Sequence, residues 1–236
     1  MKKLLFSTSL FIALFFSCEH KPQQNEEQVT ENDTSKHSHG KANEYMHQNS
    51  VDELVNHFES PERDKYQKPE KVMEYLGDIK GKKVMDLGAG SGYFTFRLAD
   101  AGAQVIAADV DDEFQQFIKQ KKEKLGYTDE QIQLKKLPYD NPLLEKNEVD
   151  IVLLVNTYHH IENRIDYFSK VLNGLNSQGE LIIIDYKKGT LPVGPPADHK
   201  IDKEIVQKEL RNAGFNSIEL DNELLEYQFI IRANKP

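Results

Sequence analysis

The chain has 236 residues, 38% of them hydrophobic and 29% charged, and a formal net charge of −9. That length suits one α/β domain with a polar tail, and the acidity opposes non-specific binding to phosphate backbones. With Cys18 as its single cysteine, the chain can form neither an intrachain disulfide nor a thiolate metal cluster.

At the N-terminus, Lys2 and Lys3 precede a mainly apolar run from Leu4 to Phe16. Such a run is too short to span a bilayer and matches the h-region of a signal peptide. It ends in Phe15-Phe16-Ser17-Cys18. A small residue directly before the only cysteine resembles a bacterial lipoprotein cleavage box. The resemblance implies removal of residues 1–17, a diacylglycerol on Cys18, membrane association through that lipid, and a place in the cell envelope. An unused signal would leave the chain in the cytoplasm. A plain hydrophobic anchor and cleavage without lipid are the alternatives. From Glu19 to Asn49 only Val29, Ala42, Tyr45 and Met46 are apolar or aromatic. This predicts a disordered polar tether over 18–50. His37 and His39 within it supply no closed coordination shell, and no metal set is expected elsewhere. The folded domain is expected over 51–236.

"VDELVNHF" places apolar residues at 51, 54, 55 and 58, a helical spacing. Ser60 before Pro61 reads as an N-cap followed by proline at the first helical position. Pro69 opens another short helix that ends near Gly77. Strands and helices then alternate. Strands are expected at Lys83–Leu87, Gln104–Val110, Gln131–Leu137, Val149–Asn156 and Glu180–Tyr186, with two more near Ser217–Asp221 and Tyr227–Ala233. Helices are expected at Ser91–Ala101, Asp112–Leu125, Ile161–Leu175 and Asp202–Ala213. "KQKKEK" at 119–124 fits the solvated face of its helix. Runs such as "DIVLLV" indicate strands covered on both faces. The pattern predicts a doubly wound α/β fold with a mostly parallel, seven-stranded, Rossmann-like sheet.

The stretch "VMDLGAGSGYF" at 84–94 places Gly88, Gly90 and Gly92 between a strand and a helix. Backbone N–H groups and a helix N-terminus then converge on a ligand. Tyr93 stands where a dinucleotide loop would have its third glycine, and no P-loop lysine follows. Asp86, beside the loop, suits a cationic ligand better than a pyrophosphate. This segment resembles the first motif of class I S-adenosylmethionine-dependent methyltransferases, with Asp86, Gly88, Gly90 and Gly92 on the matching positions, and Ala89 is assigned to the cofactor with them. "QVIAADVD" resembles the second motif and ends its strand on Asp109. The family uses that acid to bind both ribose hydroxyls, since a carboxylate can accept two charge-assisted hydrogen bonds from a diol. Leu137, after the third strand, is expected to pack on the adenine. A dehydrogenase loop and a non-catalytic, envelope-anchored relative that has kept the fold are the competing readings.

Ligands of open α/β sheets lie at the carboxyl ends of the strands. "NTYHHI" follows the fourth strand there, so Asn156, Tyr158, His159 and His160 are candidates for the crevice. Asn156 is assigned to the cofactor. Tyr158, His159 and His160 are assigned to catalysis, with a histidine as general base. The alternative is that the histidines cap the next helix. Asp185, Tyr186 and Lys187 reach the same rim, and "GTLPVGPPADHK" is placed to cover the substrate, with His199 and Lys200 as weaker candidates. Arg63 and Gln67 either reach the methionine carboxylate or hold the N-terminal helices down. The expected reaction is methyl transfer from S-adenosylmethionine to a small-molecule acceptor, without nucleic acid.

Overall fold

The computed structural model describes residue 43 and residues 48–236. The signal peptide, Cys18 and almost all of the segment read as a tether lie outside the described residues. Asn43 is buried. Its side chain bonds the His160 carbonyl (3.1 Å) and Nδ1 (3.0 Å), so packing reaches upstream of residue 51.

Three short helices come first: α1 (Val51–Phe58), α2 (Pro61–Gln67) and α3 (Pro69–Leu76). Ser50 and Glu53 form a capping box on α1. Ser60 caps α2 by accepting from the Arg63 N–H at 3.3 Å, as expected of a serine before proline. Lys68 takes a left-handed conformation (φ 45°) between α2 and α3, since the following proline disfavours the right-handed helical region.

The alternating part comprises β1 (Lys83–Leu87), α4 (Thr95–Asp100), β2 (Gln104–Asp109), α5 (Asp112–Leu125), β3 (Ile132–Lys136), β4 (Val149–Val155), α6 (Arg164–Gly174), β5 (Leu175–Tyr186), α7 (Lys203–Asn212), β6 (Asn216–Asp221) and β7 (Gln228–Asn234). A 3₁₀ turn, Tyr158–His160, separates β4 from α6. The sheet order is β3-β2-β1-β4-β5-β7-β6. Strands β1 to β5 run parallel, and β7 is antiparallel to both β5 and β6. This is the doubly wound, mostly parallel architecture expected from the sequence.

Successive strand side chains point to opposite faces, and each face has its own core. Val152 and Leu154 of β4 pack with Phe168 of α6 and Leu210 of α7. Ile151, Leu153 and Val155 pack with Val72 of α3, Leu98 of α4 and Ile118 of α5. Helices therefore cover both faces, which explains the unbroken apolar run of β4.

The two largest differences from the expected boundaries lie at α4 and β5. The helix expected from Ser91 starts at Thr95. Gly90 and Gly92 hold positive φ values of 52° and 78°, and residues 91–94 turn before the helix proper begins. Strand β5 starts at Leu175, where a helix end was expected, because Leu175 pairs with Val149 and the register is then interrupted until Glu180 meets Ile151.

Candidate active site

The glycine loop is sewn to β2. The N–H groups of Gly88 and Ala89 both donate to the Ala108 carbonyl, at 2.8 and 3.0 Å. Gly88 has φ 79°, and a Cβ there would sit 2.4 Å from the Thr157 side chain; no other residue fits. Gly90 N–H donates to Asp109 Oδ2 at 2.8 Å, and Asp111 N–H donates to Asp109 Oδ1 at 2.9 Å. Each carboxylate oxygen keeps a further lone pair for a ligand. Burial pushes the Asp109 carboxyl up to about 6, against the pull of the Gly90 and Asp111 bonds. Asp86 is also buried and accepts from Thr95 Oγ1 at 2.6 Å. Burial likewise raises it to about 6, opposed by the Thr95 bond and the Arg63 charge.

Helices α1 and α2 lie over this loop. The Phe58 ring would lie 3.6 Å from a Cβ on Gly90 and stacks on Phe114 of α5 (centroids 5.9 Å apart). Glu59 accepts from Ser91 Oγ at 2.7 Å and pairs with Lys121 at 2.8 Å. The Arg63 guanidinium lies 4.0 Å from the Tyr93 ring centroid and donates to the Phe58 carbonyl at 3.2 Å. Tyr93 in turn donates to Asp64, which also meets Arg97 at 3.6 Å.

At the ends of β4 and β5, Asn156 takes a left-handed conformation (φ 59°). Its Nδ2 donates to Gln67 Oε1 at 3.3 Å and to the Tyr186 hydroxyl at 3.4 Å. Its Oδ1 accepts from Gln228 Nε2 at 2.6 Å. The hydroxyls of Tyr66 and Tyr186 lie 3.3 Å apart. Sequence reasoning missed Gln228. Because β7 runs antiparallel, its first residue reaches the edge where β4 and β5 end. The available signal was a glutamine opening the apolar run "QFII".

The sequence candidates separate on this rim. His159 Nδ1 lies 2.9 and 3.0 Å from the two Asp185 oxygens. Asp185 also accepts from the His159 N–H at 3.2 Å and the Tyr186 N–H at 2.7 Å. Both side chains are buried, 3% and 4% exposed. The His160 ring lies tilted against that of His159 (centroids 4.2 Å apart) and bonds Asn43. Tyr158 is turned away into the helical layer: its ring stacks on Phe168 at 5.0 Å and its hydroxyl donates to Glu209 at 2.6 Å. Leu137 N–H donates to the Asp109 carbonyl at 2.8 Å, and its side chain is buried in the core beside Tyr167 and Val110. Lys200 is buried and donates to the Gly189 carbonyl at 2.9 Å. Its Nζ stands 6.0 Å from the Tyr186 ring centroid, so the 187–200 loop closes over Tyr186. Among the described residues no group of three or more metal-ligating side chains gathers.

Residues 78–228 match the family described as "Methyltransferase domain". Curated relatives include a tRNA U34 carboxymethyltransferase of Marinobacter nauticus, 28% identical over 154 residues (62% of this chain and 42% of that protein). Another of that name, from Desulfotalea psychrophila, is 31% identical over 115 residues (48% and 35%). The chain spans less than half the length of these relatives. Among solved structures, an S-adenosylmethionine-dependent methyltransferase from Aquifex aeolicus is 25% identical, with a TM-score of 0.71, covering 80% of this chain and 100% of that one. Phosphoethanolamine N-methyltransferase 2 of Haemonchus contortus, bound to S-adenosylmethionine, shares the fold at 16% identity and a TM-score of 0.62, covering 72% and 53%. The residues present fit that cofactor: a loop of backbone donors, a buried carboxylate at the end of β2 with lone pairs to spare for a diol, and a second buried carboxylate suited to a cation. The chain thus belongs to the methyltransferase-domain family and is a class I S-adenosylmethionine-dependent methyltransferase.

Proposed function

We propose that the chain methylates a small molecule whose accepting atom carries an O–H or N–H proton, an apolar phenol or quinol being the leading class. The observation that carries this reading is the His159–Asp185 pair at the rim of the strand ends. Asp185 accepts from Nδ1–H and so selects the tautomer in which Nε2 keeps its lone pair. Nε2 makes no hydrogen bond among the described residues. It is the atom that takes the acceptor's proton.

Bound S-adenosylmethionine supplies the electrophilic methyl carbon and the leaving group. The protein's contribution is orientation and proton removal, the first worth several kcal/mol when nucleophile and carbon are aligned. Asp109 and the glycine loop hold one side of the cleft, and His159 serves the other. The burial of His159, Tyr66 and Tyr186 favours a compact acceptor over a polynucleotide. So does the net charge of −9, although most of the curated relatives carry tRNA in their names; those relatives have long regions that this chain does not match.

The test is transfer from labelled S-adenosylmethionine to a panel of phenols, quinols and amines. Asp185→Asn and His159→Gln should each lower kcat by about 100-fold or more, with unchanged affinity for S-adenosylhomocysteine. Rates that survive both substitutions would remove His159 from the chemistry.

A further inference from the structure

Strand β4 leads into a turn, residues 157–160, that carries both histidines and is held at three points. At its start, the Thr157 side chain packs on Gly88, so closely that a Cβ on that glycine would meet it at 2.4 Å. In its middle, His159 is fixed to Asp185 through its backbone N–H and its Nδ1. At its end stands Asn43, 117 residues away in sequence. Asn43 Nδ2 donates to the His160 carbonyl at 3.1 Å, and Asn43 Oδ1 lies 3.0 Å from His160 Nδ1. Gly88 and Asp185 belong to the region matched to the methyltransferase-domain family. Asn43 does not, since that region begins at residue 78.

The two bonds of Asn43 fix a protonation pattern as well as a place. Which way an asparagine carboxamide points is ordinarily a choice between two assignments. Here the backbone partner removes the choice. A peptide carbonyl only accepts, so the NH₂ must face the His160 carbonyl and the amide oxygen must face the ring. The amide oxygen also only accepts, so His160 Nδ1 carries a proton. His159 holds its Nδ1–H against Asp185 in the same way. Both neutral imidazoles are therefore set in one tautomer, with the lone pair on Nε2. Their rings lie against each other, centroids 4.2 Å apart, so the place of His160 bears on the place of His159. Asn43 is 8% exposed, and it cannot turn without breaking both bonds. Placement of this kind matters for rate: a shift of about 1 Å in a reacting group can cost on the order of 100-fold.

We infer that Asn43 is a positioning residue of the catalytic turn: it fixes the tautomer and place of His160 and, through the ring contact, the place of His159. A residue within the span read from sequence as a tether thus completes the acceptor side of the cleft. The effect on turnover rests on His159 as the base; the clamp on His160 does not.

Asn43→Leu keeps the size of the side chain and removes both bonds. Proton–nitrogen NMR correlations of the histidine rings read the tautomers directly. They are recorded on the full chain with S-adenosylhomocysteine, well above the ordinary imidazole pKa, and assigned by comparison with His159→Gln and His160→Gln. The parent should show His160 protonated on Nδ1. In Asn43→Leu its signals should move toward the average of two tautomers, and those of the His159 ring should shift with them. Asn43→Asp, which keeps an oxygen for Nδ1–H, should hold the parent tautomer. A parent His160 protonated on Nε2, or ring signals that ignore Asn43→Leu, would overturn the inference. Turnover is the second arm. For whichever phenol, quinol or amine the parent methylates, Asn43→Leu should lower kcat by about 10- to 100-fold and leave S-adenosylhomocysteine affinity unchanged, with Asn43→Asp recovering part of the rate. Unchanged kcat, or a parallel loss of cofactor affinity, would reduce Asn43 to a support of the fold and sink the idea. If His159→Gln keeps the full rate, it is the base assignment that fails, and the ring spectra alone decide the clamp.

Discussion

Asp86 and Asp109 stand on neighbouring strands with their carboxyls both raised to about 6, chiefly by burial. A carboxyl with a higher value folded than unfolded binds its proton more readily in the native state. Ionising it there costs about 3 kcal/mol per group at pH 7. That cost is relieved as pH falls through about 6 toward the unfolded value near 3.8. From these two groups, the cofactor-free chain gains stability between pH 7 and pH 5. Cofactor affinity runs the other way, because only the ionised carboxylates accept from a diol or face a cation. S-adenosylhomocysteine should therefore bind progressively more weakly as pH drops below about 6. In Asp109→Asn the affinity should be lower at pH 8 and its fall toward pH 5 shallower. Titrations across that range check both, and a flat profile in the parent chain would separate these acids from the ligand.

Helices α1 and α2 pack on the glycine loop through a few side chains: Phe58 on Phe114, Glu59 on Ser91 and Lys121, Asp64 on Tyr93 and Arg97. No residue of α1 is buried. An element with as little buried surface as α1 opens at low free-energy cost. Saturating S-adenosylhomocysteine should slow amide exchange over residues 51–67 by tenfold or more, while the core strands β4 and β5 change little. Exchange in α1 and α2 that ignores the ligand would mean that these helices do not contact it. The same elements show what a sequence can reveal. Ser60-Pro61 marked the start of α2, the "DIVLLV" run marked a strand covered on both faces, and the spaced glycines marked the turn between β1 and α4, because each depends on local spacing alone. Gln228 was missed because only the antiparallel insertion of β7 brings it to the rim, 161 residues from Gln67. Tyr158 reads like its histidine neighbours, yet the 3₁₀ turn sends its ring into the helical layer and leaves His159 beside Asp185. Neighbours in a single turn face different ways, and the direction is fixed by packing partners distant in sequence.

At the scale of the whole molecule, acidity and the N-terminal segment bear on where and on what the enzyme acts. The lipoprotein-like start motivates the proposal that Cys18 carries lipid. Expressed in a bacterium fed labelled palmitate, the chain should take up label and fractionate with membranes, and Cys18→Ser should lose both properties; label-free, soluble parent chain would place the enzyme with the cytoplasmic cofactor pool instead. The acceptor question turns on charge. A protein that grips tRNA neutralises phosphates with clustered lysines and arginines, and its affinity then falls steeply with salt. This chain has 30 Lys and Arg against 39 Asp and Glu. Many of its basic groups are already engaged, as Lys83 and Lys135 are with Glu148, Lys121 with Glu59 and Arg164 with Glu209. Fluorescence anisotropy with bulk tRNA at low salt should therefore detect no binding at micromolar protein, with or without S-adenosylhomocysteine. Binding that appears at low salt and declines with a slope of several phosphates would reverse the assignment: the acceptor would then be a nucleic acid, and the His159 rim would have to open to admit a flipped base.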